Sequence, residues 1–137
     1  MRVLIDSNLW ISALISRSMR VRIERLIADD RLEILADAKL FTEIEEVAAR
    51  PKFSKYLNAP LVSDFIQILR ERVLIVETKS EVHVCRDPND DFLLAICLDG
   101  DAEYLISGDS DLLSIGLFSK TQILSLTEFE EILSIIP

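Results

Sequence analysis

Apolar positions along the chain follow two alternating patterns. Short runs of leucine and β-branched residues, typical of buried parallel strands, alternate with longer stretches in which apolar residues recur at helical spacing. The predicted strands are Arg2–Ile5, Leu32–Leu35, Val73–Val76, Tyr104–Ser107 and Thr121–Leu126. This alternation predicts one α/β domain over residues 1–137, with a five-stranded, mainly parallel sheet and helices on both faces.

The predicted helices fill the segments between the strands. They are expected at about 9–15, 19–28, 38–49, 61–71 and 92–98, with a short one near residue 112 and a last one from Thr127. Asp37 is placed to cap the third helix. Thr127 and Glu130 match the spacing of a capping box, which predicts the start of the last helix.

The third predicted helix carries three carboxylates beside an apolar stripe of Leu40, Phe41, Ile44, Val47 and Ala48. Glu46 lies nearly opposite the centre of this stripe and should face solvent. Glu43 and Glu45 lie on its two borders, where a carboxylate is half sheltered and can still reach a neighbour. The periodicity does not choose between them.

Acidic residues also flank the helix at 92–98. Asp87 and Asp90 precede it, and the following strand delivers Asp109 at its carboxyl end. Taken singly, these residues are explained as helix caps or turns. However, ligands of open parallel sheets bind beyond the carboxyl ends of the strands. If the first strand is central and the fourth lies beside it, Asp6 and Asp109 emerge together at that edge.

The overall charge argues against binding nucleic acid through bulk electrostatics. The chain has 24 acidic and 15 basic residues and a net charge of −9. RNA or DNA would therefore have to be bound through a local basic patch or a bound metal. Four arginines at 17, 20, 22 and 25 form either such a patch or the solvated face of a helix.

Several other kinds of chemistry lack the residues that they require. Cys85 and Cys97 are too few for a zinc site or a disulfide framework, and the single histidine, His83, lies outside the acidic stretches. No apolar run approaches the ~20 residues of a membrane span. Asp6 interrupts the amino-terminal apolar run before a signal-peptide core forms. We therefore expect a cytoplasmic protein with no membrane partner.

The grouped acids are best explained by a bound cation. Neighbouring carboxylates resist ionising beside one another, and a divalent cation relieves that repulsion. Ligands that offer only oxygen favour Mg²⁺ or Mn²⁺ over zinc. Such an ion can activate water and neutralise a phosphate. Metal-assisted hydrolysis of phosphodiester bonds is the chemistry that these residues support best.

Four sequence segments together resemble the PIN-domain ribonucleases, in particular the small prokaryotic, VapC-like toxins of toxin–antitoxin pairs. These segments are Val3–Asn8, Glu43–Val47 with Arg50–Phe53, Asp87–Asp90, and Tyr104–Leu112. Each is short, but their order and spacing along the whole chain match the family. The resemblance implies a PIN-like fold, an endoribonuclease activity dependent on Mg²⁺ or Mn²⁺, a protein antitoxin and a homodimer. The first two helices and the last one are the expected dimer interface.

The resemblance also assigns the site. It implies that Asp6, Glu43, Asp90 and Asp109 are the catalytic acids, with Asp6, Asp90 and Asp109 on the metal. This chooses Glu43 over Glu45. Asn8 is expected to orient Asp6 or a metal-bound water, Ser107 lies beside the fourth acid, and Asp111 is a possible outer ligand. Asp91 stands where a neutral residue is expected, which leaves Asp90 and Asp91 as alternatives for the third acid.

Two other functions are compatible with the sequence. One is a PIN-like module that binds RNA or a partner protein without cleaving, which the acidic balance favours. The other is a Mg²⁺-dependent phosphotransfer domain, such as a phosphatase or a receiver. A phosphatase with an aspartate nucleophile would need a second acid at position 8 as its general acid, where this chain has Asn8.

Overall fold

The computed structural model describes all residues from Met1 to Pro137. Six strands form one sheet: β1 (Arg2–Ile5), β2 (Glu33–Ala36), β3 (Leu74–Ile75), β4 (Tyr104–Ile106), β5 (Leu117–Phe118) and β6 (Thr121–Leu124). Seven helices accompany them: α1 (Ser7–Ile15), α2 (Arg17–Ala28), α3 (Ala38–Ala48), α4 (Ala59–Arg72), α5 (Asp91–Asp99), α6 (Ser110–Ile115) and α7 (Leu126–Ile135). Short 3₁₀ turns cover Pro51–Phe53 and Pro88–Asp90.

The sheet is built around β1. The strand order is β3-β2-β1-β4-β6-β5, and every pairing except that of β5 with β6 is parallel. Val3, Leu4 and Ile5 have no exposed surface. Because successive side chains of a strand point to opposite faces, both faces of the sheet are covered. The predicted α/β fold, with the first strand central and the fourth beside it, is confirmed.

The predicted number of strands was one too few. The additional strand, β5, pairs antiparallel with β6 in a hairpin. Gly116 ends α6 with φ 72°, and Ser119 forms the turn with φ 54°, so the chain reverses within a few residues. The two apolar residues of β5 stand between Gly116 and Ser119, a run too short to indicate a strand, whereas β3 lies within the longer apolar run Val73–Val76.

Five helices begin one or two residues before the predicted start, and two of these differences are informative. The capping box of α7 consists of Ser125 and Glu128, not Thr127 and Glu130, so the helix begins one residue before the predicted start. At the other end of the chain, the carboxylate of Asp6 caps α1, which therefore begins at Ser7 rather than near Leu9. The second difference matters for the site, because it places Ser7 in the first turn of a helix directly after β1.

One hydrophobic core joins the sheet and the helices. It includes the predicted stripe of α3, and nearly all of α5 is buried, from Phe92 to Cys97. Both cysteines are free; Cys97 is buried in this core. No helix is long and apolar enough to cross a membrane.

Candidate functional site

Asp6 follows β1 at the point where β1 and β4 end together. The amide of Asp6 donates to the carbonyl of Ile106 at 3.0 Å, which joins the two strand ends. Its side chain is 3% exposed. Oδ2 accepts from the Ser107 hydroxyl at 2.8 Å, and Oδ1 accepts from the amide of Asn8 at 3.4 Å. The carboxylate is thus fixed at the carboxyl edge of the sheet, as the strand order predicts.

Glu43 approaches Asp6 from the middle of α3. The Ser7 hydroxyl lies 2.5 Å from Oε2 of Glu43 and 3.2 Å from Oδ1 of Asp6. A serine hydroxyl has one proton to donate, so it satisfies one of the two carboxylates at a time. Ser7 therefore couples the two acids. Glu45, the alternative to Glu43, is exposed and lines a different cleft.

Ser107 couples Asp6 to the fourth acid. Its hydroxyl donates to Asp6 and accepts from the amide of Asp109 at 3.0 Å. The carboxylate of Asp109 caps α6 by accepting from the amide of Leu112 at 3.3 Å. Asp109 therefore both caps α6 and lies near Asp6, because α6 starts directly after the end of β4.

Asp90 and Asp91 point to different places. Asp90 shares a cleft of about 520 Å³ with Asp6, Asn8 and Glu43, which we call the acid cleft. Asp91 instead accepts from the amides of Val84 and Cys85, at 3.0 and 2.7 Å, and holds the loop before α5. Of the two alternatives for the third acid, Asp90 is the one that the structure brings to the other acids.

Burial and neighbouring charges raise the pKa values of Asp6, Glu43 and Asp90. Loss of solvent contact raises the pKa of Asp6 above its usual range, against the opposing effect of its hydrogen bonds. Burial also raises the pKa of Glu43, with the charge of Asp6 adding to it. Burial and the charges of Asp109 and Asp6 raise the pKa of Asp90 to about 6. Repulsion was the expected cause; burial is the larger one.

The predicted supporting residues occupy distinct positions. Asn8 lines the acid cleft and gives Asp6 its backbone amide, whereas the neighbouring hydroxyl of Ser7 bonds the two acids. Asp111 forms a surface ion pair with Arg86 at 3.7 Å rather than facing the acid cleft. Sequence reasoning missed the role of Ser7, although its position directly after Asp6 is visible in the sequence.

Sequence reasoning also missed two cations. Lys39 and Arg50 are the basic side chains that line the acid cleft, and both act electrostatically on Glu43. Glu46 is exposed, as predicted, but lies at the rim of the same cleft. The helical spacing of Lys39, Glu43 and Glu46 could have indicated this shared face of α3.

The donor set fits a hard divalent cation in its chemistry. The acids offer only oxygen atoms, and their raised pKa values indicate that uncompensated negative charge is unfavourable there. As the side chains stand, no three of them converge closely enough to hold one ion. Asp109 bonds instead to an amide of α6, so its side chain would have to turn to share a metal with Asp6 and Asp90.

Comparison with known families identifies the architecture. Residues 2–111 match the PIN domain family. The match includes the segment Val3–Asn8, α3, the acids before α5, and β4 with its carboxyl end. The chain belongs to the PIN-domain family.

Individual relatives of this PIN domain are distant. It is 28% identical to the uncharacterized protein MJ1680 of Methanocaldococcus jannaschii over 116 residues, which is 83% of this chain and 74% of that protein. Its fold resembles VapBC-1 from nontypeable Haemophilus influenzae, with a TM-score of 0.62 and 16% identity over 93% of this chain and 99% of that one.

A second solved structure has a similar fold. VapBC2 from Rickettsia felis, bound to a DNA fragment from its promoter, matches with a TM-score of 0.58 and 13% identity, over 90% of this chain and 97% of that one. At these identities the two structures establish the fold of this PIN domain alone.

Proposed function

We propose that this PIN domain is a Mg²⁺- or Mn²⁺-dependent endoribonuclease and the toxin of a toxin–antitoxin pair. One observation carries the proposal: Asp6, Glu43 and Asp90 share one cleft at the carboxyl edge of β1 and β4, and all three have raised pKa values. Such perturbed carboxylates, grouped in a cleft, support a functional site over a set of helix caps.

Each acid has a proposed role. Asp6, Asp90 and Asp109 would hold the ion, which would supply charge to neutralise the scissile phosphate and to make a water molecule more acidic. Glu43 accepts a proton from the attacking water, because its half-buried carboxylate has a raised pKa and so a greater proton affinity. Ser7 and Ser107 hold Glu43 and Asp6 in position. Asn8, at the rim of the cleft, is the candidate to orient that water.

A nucleic-acid substrate is supported by the cations of the cleft. The chain has a net charge of −9, yet Lys39 and Arg50 line the same cleft as the acids. Neither forms an ion pair within the chain. Free cations beside a metal-binding acid set are suited to the phosphates of a nucleic-acid strand.

We also propose a protein antitoxin and a homodimer. The two solved structures with a similar fold are VapBC assemblies, which supports a partner of this kind. The dimer interface is expected on α1, α2 and α7, where exposed or half-exposed apolar residues such as Ile135 remain. Light scattering at micromolar concentration should give twice the mass of one chain, with and without metal; a monomer in both would contradict the dimer.

The decisive experiment is an RNA cleavage assay with Mg²⁺, Mn²⁺ or EDTA. The wild type should cut only with metal, and Asp6→Asn should not cut, because it removes a ligand charge and little volume. Asp64→Asn is the matched control, since it makes the same change at an exposed position on α4 with no hydrogen-bond partner. Cutting in EDTA, or by Asp6→Asn, would refute the metal mechanism. RNA binding without cleavage under every condition would indicate the non-catalytic module instead.

A further inference from the structure

A second, larger cleft adjoins the acid cleft. It has a volume of about 780 Å³ and lies between the amino end of α3, α5 and the loop that follows β3. Lys39 and Pro88 line both clefts, so the two are neighbours at these residues. The volume is in the range of small-molecule sites in proteins. None of the residues assigned to catalysis lines this second cleft.

Three aspartates hold the loop that forms one wall of the second cleft. Asp37 accepts from the Thr78 hydroxyl at 2.8 Å, and Asp91 accepts from the amides of Val84 and Cys85. Asp99 accepts from the amides of Lys79 and Ser80 at 2.6 and 2.8 Å. A segment without helix or strand is thereby fastened near both of its ends, at 78–80 and at 84–85. The second cleft is therefore formed before any ligand arrives.

The lining of the second cleft suits an uncharged planar group better than a phosphate. Ile75, Val76 and Val82 contribute exposed or half-exposed apolar surface, with Phe92 and Ala95 nearly buried beside them, and the imidazole of His83 is exposed there. Glu77 and Glu81, whose carboxylates accept no hydrogen bond, are exposed at its lining and would repel an anion. A nucleobase, which is uncharged and flat, meets both conditions.

Lys39 provides the charge between the two clefts. It lies one helical turn before Glu43 on the same face of α3, and its Nζ is 5.1 Å from the centre of the Phe92 ring. It has no carboxylate partner in the chain. A phosphate at Lys39 would therefore sit between the acid cleft and the second cleft, where the backbone of a strand must pass if it enters both.

We propose that the second cleft binds a nucleobase of single-stranded RNA next to the scissile phosphate, and that Lys39 binds the phosphate joining the two nucleotides. This inference rests on the proposed function, which supplies the strand. Proteins commonly recognise single-stranded RNA by holding unstacked bases against aromatic and apolar side chains while cations follow the backbone. The second cleft makes the enzyme selective for unpaired RNA, because a paired base could not enter it.

The test compares binding of two strands to three variants. The strands are a fluorescent single-stranded RNA of about eight nucleotides and an abasic strand of equal length and charge. The variants are Ala38→Trp, which fills the second cleft from an exposed position at the start of α3, Lys39→Ala, and the control Lys120→Ala. Lys120 lies at the β5–β6 turn, at the opposite edge of the sheet. All are made in the Asp6→Asn background, and anisotropy is read with Mg²⁺ present.

The expected pattern separates the base from the phosphate. Ala38→Trp should raise the Kd for RNA about tenfold and leave the Kd for the abasic strand unchanged, since stacking of one base is lost. Lys39→Ala should weaken the binding of both strands and reduce the slope of log Kd against log salt by about 0.7, as expected for one phosphate contact on a single strand. Lys120→Ala should change neither strand.

Other outcomes overturn the inference. If Ala38→Trp weakened the binding of both strands equally, or of neither, the second cleft would not bind a base. A Lys39→Ala variant that behaves like Lys120→Ala would remove the phosphate contact. Because binding is read without cleavage, a protein that binds in the expected pattern but never cuts RNA would refute the proposed function alone. Circular dichroism of each variant excludes unfolding as the cause.

Discussion

On one wall of the acid cleft, Asp6 and Glu43 extend from β1 and α3 and meet at the hydroxyl of Ser7. On the other wall, Asp90 and Asp91 are neighbours in the sequence, yet only Asp90 faces the cleft. Burial and nearby acids raise the pKa of Asp90 to about 6, whereas two backbone amides hold the pKa of Asp91 below its usual range. On the first wall, Asp6 and Glu43 share the hydroxyl of Ser7 as a proton donor. On the second wall, Asp90 and Asp91 have environments that shift their pKa values in opposite directions.

This difference shows what position in the sequence does not determine. Asp90 and Asp91 are the same residue type with the same charge, and both are suited to the first turn of a helix. The backbone that surrounds each of them decides which is available for chemistry. Substitutions of the acids and of their hydrogen-bond partners therefore test the two walls of the acid cleft separately.

The largest effect should come from the first wall. Glu43→Gln should reduce RNA cleavage about 100-fold or more, because it removes the charge that takes up a proton and leaves the size unchanged. Glu45→Gln, on the same helix but exposed away from the cleft, should stay within about twofold of the wild type. Initial rates on one RNA at saturating Mg²⁺ measure both. Equal loss in the two variants would mean that the face of α3 is wrongly assigned.

Bound metal should stabilise the folded protein, and this stabilisation should depend on Asp6 on one wall and on Asp90 on the other. With Mg²⁺ at about 30 times its Kd, mass action adds about 2 kcal/mol to the free energy of unfolding. The resulting rise in Tm should persist in Asp91→Asn and shrink in Asp6→Asn and Asp90→Asn. Thermal unfolding in EDTA and in Mg²⁺ gives these shifts. A Tm that Mg²⁺ leaves unchanged in the wild type would indicate that the acids only cap helices.

Removing the shared hydroxyl should have a smaller effect. Ser7→Ala should lower cleavage about tenfold, because Asp6 and Glu43 lose the group that holds them in register. Ser12→Ala is the control, since its hydroxyl bonds only a carbonyl of its own helix. The ratio of the two rates at fixed metal concentration checks the prediction. A Ser7→Ala enzyme as active as Ser12→Ala would show that the two acids keep their positions without the hydroxyl.

The smallest effects concern stability without metal. The folded-state pKa of Asp90 is raised, so the folded protein binds its proton more tightly than the unfolded chain does. Its contribution is therefore present below about pH 4 and is lost as pH rises to about 6. Above pH 6, Asp90→Asn should stabilise the apo protein by about 1 kcal/mol, after allowance for partial solvent exposure.

The adjacent substitution should have the opposite sign. Asp91→Asn weakens the charged acceptor of two loop amides, so the apo protein should melt at a lower temperature. The pKa of Asp91 is lowered in the folded state, so its contribution is present above the unfolded pKa and is lost as pH falls. Thermal unfolding in EDTA across pH 4–8 compares the two variants, and shifts of the same sign would refute the contrast between them.

Long periodic elements were predictable from the sequence, and short-range geometry was not. The apolar stripe of α3 and the runs of β1 and β4 determine the sheet, its core and the edge at which Asp6 and Asp109 emerge. The choice of Asp90 over Asp91 depends on the loop at 84–85, whose path has no periodic signal. The Ser7 hydroxyl, and not the Asn8 side chain, hydrogen-bonds Asp6, because α1 starts directly at Ser7 and one residue changes the direction of a side chain by about 100° in a helix.

The hydrogen bond between Ser107 and Asp6 spans 101 residues of chain. During synthesis, β1 emerges first and must wait for β4, which brings Ser107 and Asp109, before the edge of the sheet is complete. Ribosomes add about 5–20 residues per second, so the amino-terminal part of the chain exists for seconds without these partners. The incomplete chain lacks the fourth acid throughout that time. The carboxyl edge of the sheet, where the acids lie, is therefore complete only after β4 and Asp109 have been made.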